Sequence, residues 1–182
     1  MKTLSKALSL RISAWTKSGC LPHSNYIKMI QEFKNLRDDE IDVLLKAPVL
    51  VSVLIAGADS KIDKSELAQA VQVADSKQAR AREQLLAYYQ EVGENFEGKL
   101  VHAIDELPSG VEERNEAITK ELRKLNHILP KIDSNYAIKL HASLKDFAKK
   151  IAEASGGVLG YMSVSYEEAK LMDLPMLEDP AK

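Results

Sequence analysis

A strongly apolar stretch, residues 48–58, constrains the fold of this chain more than any other part of its sequence. It contains no charged side chain, and Leu50, Val51, Leu54 and Ile55 fall at helical spacing along it. The stretch is well short of the roughly 18 apolar residues that cross a membrane, so it predicts a helix buried inside a globular domain and no transmembrane segment. Because proline is tolerated in the first turn of a helix, we expect a new helix to begin at Pro48.

The rest of the chain carries further helical patterns and no convincing alternating strand. The clearest pattern is a stripe of large apolar residues stepping by four, four, three and four positions: Tyr136, Leu140, Leu144, Phe147 and Ile151. With only 8 Gly and 6 Pro in 182 residues, a fold with many tight turns is disfavoured. The predicted fold class is therefore all-α, a compact array of about eight helices built from two loosely repeated halves.

Charge and composition divide the chain into three parts. The predicted parts are a basic N-terminal helical segment packed on the body (residues 1–37), a helical domain (residues 38–173) and a flexible tail (residues 174–182). Within the domain, the linker Pro108-Ser109-Gly110 separates halves at about 38–107 and 109–173. Ser109 and Glu112 have the spacing of a capping box for the helix that follows.

A carboxylate-rich turn follows the apolar stretch, and local rules predict a helix start within it. Asp63 suits the N-cap position, and Glu66, three residues later, completes a capping box. Ile62 and Leu67 flank these two residues with the spacing of a hydrophobic staple. Asp59, at the start of the turn, has no such local role.

A weaker copy of the same plan lies near the C-terminus. Ser165 and Glu168 occupy the positions of Asp63 and Glu66, at an offset of 102 residues. Val164 and Ala169 stand at the two staple positions with the same offset. An internal duplication explains the correspondence, although shared capping chemistry alone can produce a similarity this short.

The pattern Ala-x-Ala-Asp-x-x-Ile-Asp-x-x-Glu-Leu at residues 56–67 resembles the TerB-like family, the all-helical proteins associated with tellurite resistance. The resemblance covers residues 50–73 best and residues 147–171 more weakly. It implies two related helical halves, each with an Asp-Gly turn followed by a Glu on the next helix. It also implies a non-enzymatic cytoplasmic protein with a role in stress response or protein interaction. Ser60 replaces the Gly usual after the family's Asp, and the second turn, Ser155-Gly156-Gly157, has no Asp.

Clustered carboxylates of this kind predict a weak site for a hard divalent cation, Ca²⁺ or Mg²⁺. The candidate ligands are Asp59, Asp63, Glu66, Glu167 and Glu168. The last two complete the site only if the halves pack turn to turn. An EF-hand is excluded, because counting from Asp59 puts Lys64 at position six and Ala70 at position twelve. The alternative is a metal-free helical adaptor between proteins, in which these carboxylates only cap helices.

Charge is unevenly distributed along the chain. Residues 1–37 have a net charge of +6, which leaves −8 for the remainder of a chain whose total is −2. Leu4, Leu8, Ile12 and Trp15 form an apolar stripe among the basic residues, which predicts packing on the acidic body. A transit-type peptide and contact with an anionic surface, nucleic acid or membrane, stay open as alternatives.

No enzyme active site is predicted. The four histidines, His23, His102, His127 and His141, lack metal-ligand spacing, and the single cysteine, Cys20, has no neighbouring base. We interpret Ser52 as a packing residue and find no phosphate-binding loop or nucleophile motif. An unidentified protein partner is therefore expected, and a homodimer stays open.

Overall fold

The computed structural model describes residues 30–57, 64–80, 83–155 and 170–181. Its α-helices are α1 (Asp38–Ala56), α2 (Lys64–Arg80), α3 (Glu83–Gly93), α4 (Phe96–Glu106), α5 (Val111–Leu122), α6 (Leu125–Ile128) and α7 (Ser134–Ser155). Two 3-10 helices, Gln31–Phe33 and Leu129–Lys131, precede α1 and α7. Within the described ranges there is no strand, which confirms the all-α prediction, and seven α-helices stand where about eight were expected.

Helix α1 is the central element. Every residue from Ala47 to Gly57 is buried, and α1 contacts all of the other described α-helices, with α7, α4 and α5 as its main neighbours. A helix that is apolar on all sides needs partners on all sides to keep that surface from water. The prediction of a buried helix over the apolar stretch is therefore confirmed.

The predicted start of this helix at Pro48 is wrong. The helix begins ten residues earlier, at Asp38. At its N-terminal end, the backbone N–H of Arg37 donates to Oε2 of Glu40 at 3.0 Å. Pro48 is consequently inside α1 and cannot donate to the carbonyl of Leu44, four residues back. The hydroxyl of Tyr88 on α3 donates to that carbonyl instead, at 2.8 Å. One tertiary hydrogen bond thus replaces the missing helical one, and the helix continues.

The long helix α7 follows its prediction closely. Oδ1 of Asp133 accepts from the N–H of Tyr136 at 2.9 Å, so Asp133 acts as the N-cap. All five residues of the predicted stripe are buried: Tyr136, Leu140, Leu144, Phe147 and Ile151. Periodic burial of one face is what fixes α7 against α1 and α2.

Two helix boundaries differ from the sequence-based expectation. The sequence pattern predicts that the helix after Asp63 ends near Ala74 and that another begins near Lys77, but α2 continues to Arg80. The linker Pro108-Ser109-Gly110 does separate α4 from α5, but Gly110 rather than Ser109 is the N-cap residue. The capping box of Ser109 with Glu112 is therefore not formed, because Glu113 occupies the third helical position.

The C-terminal tail packs against the body. We expected residues 174–182 to be flexible, yet the side chains of Leu174, Met176 and Leu177 are buried. The side-chain amide of Asn126 donates to the carbonyl of Met176 and accepts from the N–H of Glu178, both at 3.0 Å. An amide that satisfies two backbone groups anchors a segment with no helix of its own, which a search for periodic patterns does not detect.

The remaining predictions about organisation fall mostly outside the described ranges. Of the N-terminal segment, only residues 30–37 are described, and Ile30 and Phe33 there are buried. The second turn, residues 156–169, also lies outside them. None of the described helices is long and apolar enough to cross a membrane.

Candidate functional site

The candidate cation site follows the central helix. Asp59, Asp63, Glu167 and Glu168 lie outside the described residues, and Glu66 lies in the first turn of α2 with its side chain also outside them. The position of the site along the chain is therefore given by the described residues on either side of it. Helix α1 ends at Ala56 and α2 begins at Lys64, directly after the predicted N-cap Asp63. The carboxylate-rich segment thus connects the C-terminal end of α1 to the N-terminal end of α2.

A buried guanidinium lies at the base of this connection. Arg114, on α5, is 4% exposed, and its Nη2 donates to the carbonyl of Gly57 at 2.7 Å. A longer contact of 3.4 Å joins its Nη1 to the carbonyl of Ser109, and its Nε has no hydrogen-bond partner among the described residues. Gly57 is the C-cap of α1, where the helix dipole is negative. The guanidinium of Arg114 is therefore stabilised by two backbone carbonyls, one of which is at the C-terminal end of α1.

Sequence analysis missed Arg114, although a signal was present. Arg114, Ile118 and Leu122 step by four residues, and all three are buried. The spacing places the arginine on the buried face of α5. A charged residue in register with an apolar stripe was the pattern that could have identified it.

A second polar cluster joins α2, α3 and α7. Nζ of Lys77 lies 3.0 Å from Oγ of Ser143 and 2.6 Å from Oδ2 of Asp146. The hydroxyl of Tyr89 is 2.7 Å from the same Ser143 oxygen, and the ammonium of Lys77 lies 5.5 Å from the centre of the Tyr89 ring. Lys77 and Ser143 are 66 residues apart, and no local pattern predicts this contact.

The chemistry of this cluster is that of a structural tie rather than a nucleophile. Burial opposes the charged form of Asp146, but hydrogen bonds from Lys77 and Lys150 outweigh it and lower the pKa of Asp146 below its ordinary value. The carboxylate therefore stays charged and holds the Lys77 ammonium beside it, so that this lysine offers Ser143 no free lone pair. Burial raises the pKa of Tyr89, which keeps its phenol protonated.

Replacing Asp146 with Asn is expected to lower the free energy of unfolding by about 1 kcal/mol at pH 7, a value limited by the partial exposure of the carboxylate. The pKa of Asp146 is lowered on folding, so its contribution is present above the unfolded pKa near 3.8 and is lost as pH falls through the folded value. Urea unfolding of the two proteins between about pH 7 and pH 3 measures this.

The control for that comparison is Glu153→Gln. Glu153 is exposed and pairs with Lys149 at 3.7 Å on the same helix, so its replacement should change stability little at any pH. A stability difference between Asp146→Asn and the unsubstituted protein that persists unchanged in acid would contradict the assigned role of the Asp146 charge.

The described histidines do not converge. His102 lies 3.6 Å from Glu106 on α4, His127 is exposed on α6, and His141 is half-buried on α7. Burial lowers the pKa of His141, which favours the neutral ring. Among the described residues no group of three or more His, Cys, Asp or Glu side chains could hold a metal ion. His23 and Cys20 lie outside those residues.

A glutamate tie fixes the start of α1. Glu40 is 6% exposed, and its carboxylate accepts from the ammonium of Lys131 and from the backbone N–H of Arg37. Hydrogen bonds from Lys131 and from the Arg37 backbone lower the pKa of Glu40. The tie links the first turn of α1 to the 3-10 helix before α7.

No protein-family model, no curated protein and no solved structure matches this chain. The resemblance to the TerB-like family therefore stays a prediction from the residues quoted for it. The class that the structure itself defines is a compact all-α domain around one central helix that is buried from Ala47 to its C-terminal end.

Proposed function

We propose that this protein is a non-enzymatic, cytoplasmic, TerB-like module that binds a divalent cation, Ca²⁺ or Mg²⁺, weakly through the connection between α1 and α2. Asp59, Asp63 and Glu66 supply the carboxylate oxygens, and Glu167 and Glu168 complete the set from the second turn. Its role is in stress response or protein interaction. The observation that supports the proposal is the pair of helix ends: α1 stops at Ala56 and α2 starts at Lys64, so Asp59 and Asp63 share one short connection and Glu66 follows in the first turn of α2.

Chain geometry adds to this support. Asp59 follows Gly57, the C-cap of the central helix, by two positions in the sequence. The C-terminal end of a helix carries partial negative charge and favours cations. Two carboxylates in the connection, a third in the first turn of α2 and the C-terminal end of α1 contribute negative charge of the kind that a hard cation requires.

Arg114 favours the alternative function, a metal-free helical adaptor between proteins. Its guanidinium already occupies the carbonyl of Gly57 at 2.7 Å and places one positive charge at the base of the same connection. A second cation bound nearby is repelled by that charge. In this alternative Asp63 and Glu66 cap α2, and a protein partner rather than a metal defines the function.

A metal titration separates the two functions. Chelator-stripped protein is titrated with Ca²⁺, Mg²⁺, Mn²⁺ and Zn²⁺, and heat release and melting temperature are recorded. The first function predicts saturable binding, with a stabilisation of about 2.7 kcal/mol at a cation concentration of about one hundred times Kd. The double variant Asp59→Asn and Glu66→Gln should abolish both signals.

The matched control removes two carboxylates from elsewhere on the surface. Glu97 and Asp105 are exposed on α4, so Glu97→Gln with Asp105→Asn changes the net charge by the same amount. Binding should survive in this control. If no cation binds, and Asp59→Asn with Glu66→Gln only lowers the melting temperature, the carboxylates are helix caps and the adaptor is the better proposal.

A further inference from the structure

A small apolar cleft opens between α1, α4 and α5. Its floor is formed by Leu50, Ala103, Leu107 and Ile118, and Glu106 and Glu121 stand at its rim. The volume is about 40 Å³. Sites for drug-sized ligands measure roughly 300–1,000 Å³, so this cleft suits a single apolar side chain better than a free small molecule.

Negative charge surrounds the cleft. Lys46, at its edge, is half-buried. Burial and the nearby charge of Lys124 lower the pKa of Lys46, and the carboxylates of Asp42, Glu121 and Glu106 oppose them. Over residues 94–121, which form α4, α5 and their linker, eight Asp and Glu stand against three Lys and Arg. One of those three, Arg114, is buried. The surface that surrounds the cleft therefore attracts a basic segment.

Several of these carboxylates are exposed near the cleft. Glu112, Glu113 and Glu116 are exposed on α5, and the described contacts include no ion pair to any of them. At the rim itself, Glu121 also pairs with Lys124 at 2.7 Å, and Glu106 lies 3.6 Å from His102. Glu113, Ala117 and Glu121 step by four residues and so lie in one row along the helix. Since Ala117 and Glu121 line the cleft, the row continues the acidic rim toward the N-terminal end of α5.

The chain contains a segment of complementary chemistry. Residues 1–29, which we call the N-terminal arm, carry five Lys and Arg and no Asp or Glu. Leu4, Leu8, Ile12 and Trp15 recur at helical spacing among them. Apolar residues at this spacing share one face of a helix, so the arm can offer single apolar side chains flanked by positive charges.

The length of the arm allows it to reach the cleft of its own chain. The described chain begins at Ile30, eight residues before α1 and so at most about 26 Å from its start. Lys46 lies eight residues into that helix, or about 12 Å along it at about 1.5 Å per residue. Residues 18–29 alone span up to about 40 Å when extended, at roughly 3.3 Å per residue. This length therefore allows the apolar stripe at residues 4–15 to reach the cleft.

We infer that the N-terminal arm docks on the cleft between α1, α4 and α5, with an apolar side chain of its stripe on the Leu50, Ala103, Leu107 and Ile118 floor and its basic residues against Glu106 and Glu121. The inference does not depend on whether the α1–α2 connection binds a cation. It makes the arm a built-in occupant of an interaction surface. A partner that takes either the arm or the cleft must first displace this contact.

The single cysteine, Cys20, makes the docking measurable in the full chain. A nitroxide spin label on Cys20 should cause loss of amide signal intensity at residues 103–107 and 117–121 in an isotope-labelled protein, and leave the exposed face of α7 unaffected. Raising the salt concentration to about 1 M, where the Debye length is about 3 Å, should restore part of the lost intensity. This salt measurement needs no substitution in the body.

Charge reversal at the rim tests the same contact. Glu106→Lys with Glu121→Lys should restore the signals, whereas Glu178→Lys, an exposed charge reversal on the tail, should not. Circular dichroism confirms that each variant is folded. Signal loss centred on the outer face of α7, or loss at the cleft that neither salt nor the double reversal relieves, overturns the inference.

Two further arms of the experiment identify the other occupants. Spin-labelled protein without isotope is mixed with isotope-labelled Cys20→Ser protein; signal loss in this mixture shows that the N-terminal arm docks on a second copy, which overturns docking within one chain. Absence of signal loss at the cleft, together with sedimentation of the protein with vesicles rich in anionic lipid, shows that the N-terminal arm is a membrane-binding segment and also overturns it.

Discussion

Replacing Arg114 with methionine is expected to lower the free energy of unfolding by about 3 kcal/mol. Methionine keeps most of the apolar stem of the side chain but removes the guanidinium that donates to the carbonyl of Gly57 at 2.7 Å. A hydrogen bond from a charged donor contributes roughly 1.5–3 kcal/mol. The favourable position of the cation at the C-terminal end of α1 adds about 0.3–1 kcal/mol, and more where the charge is partly buried.

The cost of burying the guanidinium opposes this expected loss of stability. Among the described residues Arg114 has no carboxylate partner and its Nε has no hydrogen-bond partner, and burying a charge in this way costs free energy. We expect the hydrogen bonds to dominate, because the variant leaves the carbonyl of Gly57 buried without its donor. Urea unfolding of Arg114→Met, beside Arg123→Met on the exposed end of the same helix, measures the balance. A variant as stable as the unsubstituted protein would show that the desolvation cost cancels the contacts.

The structure shows which parts of this fold local rules determine. The stripe of α7 and the linker at residues 108–110 were predicted because helical spacing and turn residues depend on positions close together in the sequence. The all-α class followed from the same patterns. Helix α1 was also predicted as a buried helix, since an uncharged apolar stretch has few other places in a domain.

The errors at Pro48 and in the tail have one physical cause, which is compensation from distant residues. A local rule starts a helix at Pro48, yet Tyr88, 44 residues away from Leu44, satisfies the carbonyl that the proline leaves free. Local rules also predict a flexible tail, yet Asn126, 50 residues before Met176, donates a hydrogen bond to its backbone. The contacts of Lys77 with Ser143 and Asp146 are of the same kind. Such pairings depend on the tertiary arrangement, which spacing along the chain does not encode.

For the candidate cation site, local rules predict one part and leave the other untested. Its local part, a helix that begins directly after Asp63, agrees with the boundary of α2 at Lys64. Convergence of Glu167 and Glu168 on the same connection depends on how two turns that are distant in sequence pack together. Capping rules apply to each turn separately and cannot supply it. The titration with the paired carboxylate variants is therefore the test of this part.

The compensation at Pro48 gives the sharpest test of the fold, a double-mutant cycle with Tyr88. Tyr88→Phe removes only the hydroxyl and keeps the ring, which packs edge-on against Phe33 and Tyr89. In the unsubstituted background this leaves the Leu44 carbonyl buried without a donor, at a cost of roughly 1–3 kcal/mol. Pro48→Ala restores a backbone N–H that can donate to that carbonyl in the ordinary helical way.

The expected result is a strong dependence of the Tyr88→Phe effect on residue 48. In the Pro48→Ala background the same substitution should cost less than about 0.5 kcal/mol, because the helix now satisfies the carbonyl itself, so the coupling between the two sites should be about 1–2 kcal/mol. Urea unfolding of the four proteins measures it. Pro48→Ala also changes the entropy of the unfolded chain, but that change is the same with and without the Tyr88 hydroxyl and cancels in the cycle. Equal costs of Tyr88→Phe in both backgrounds would mean that the hydroxyl does not compensate for the proline, and the continuity of α1 through Pro48 would need another cause.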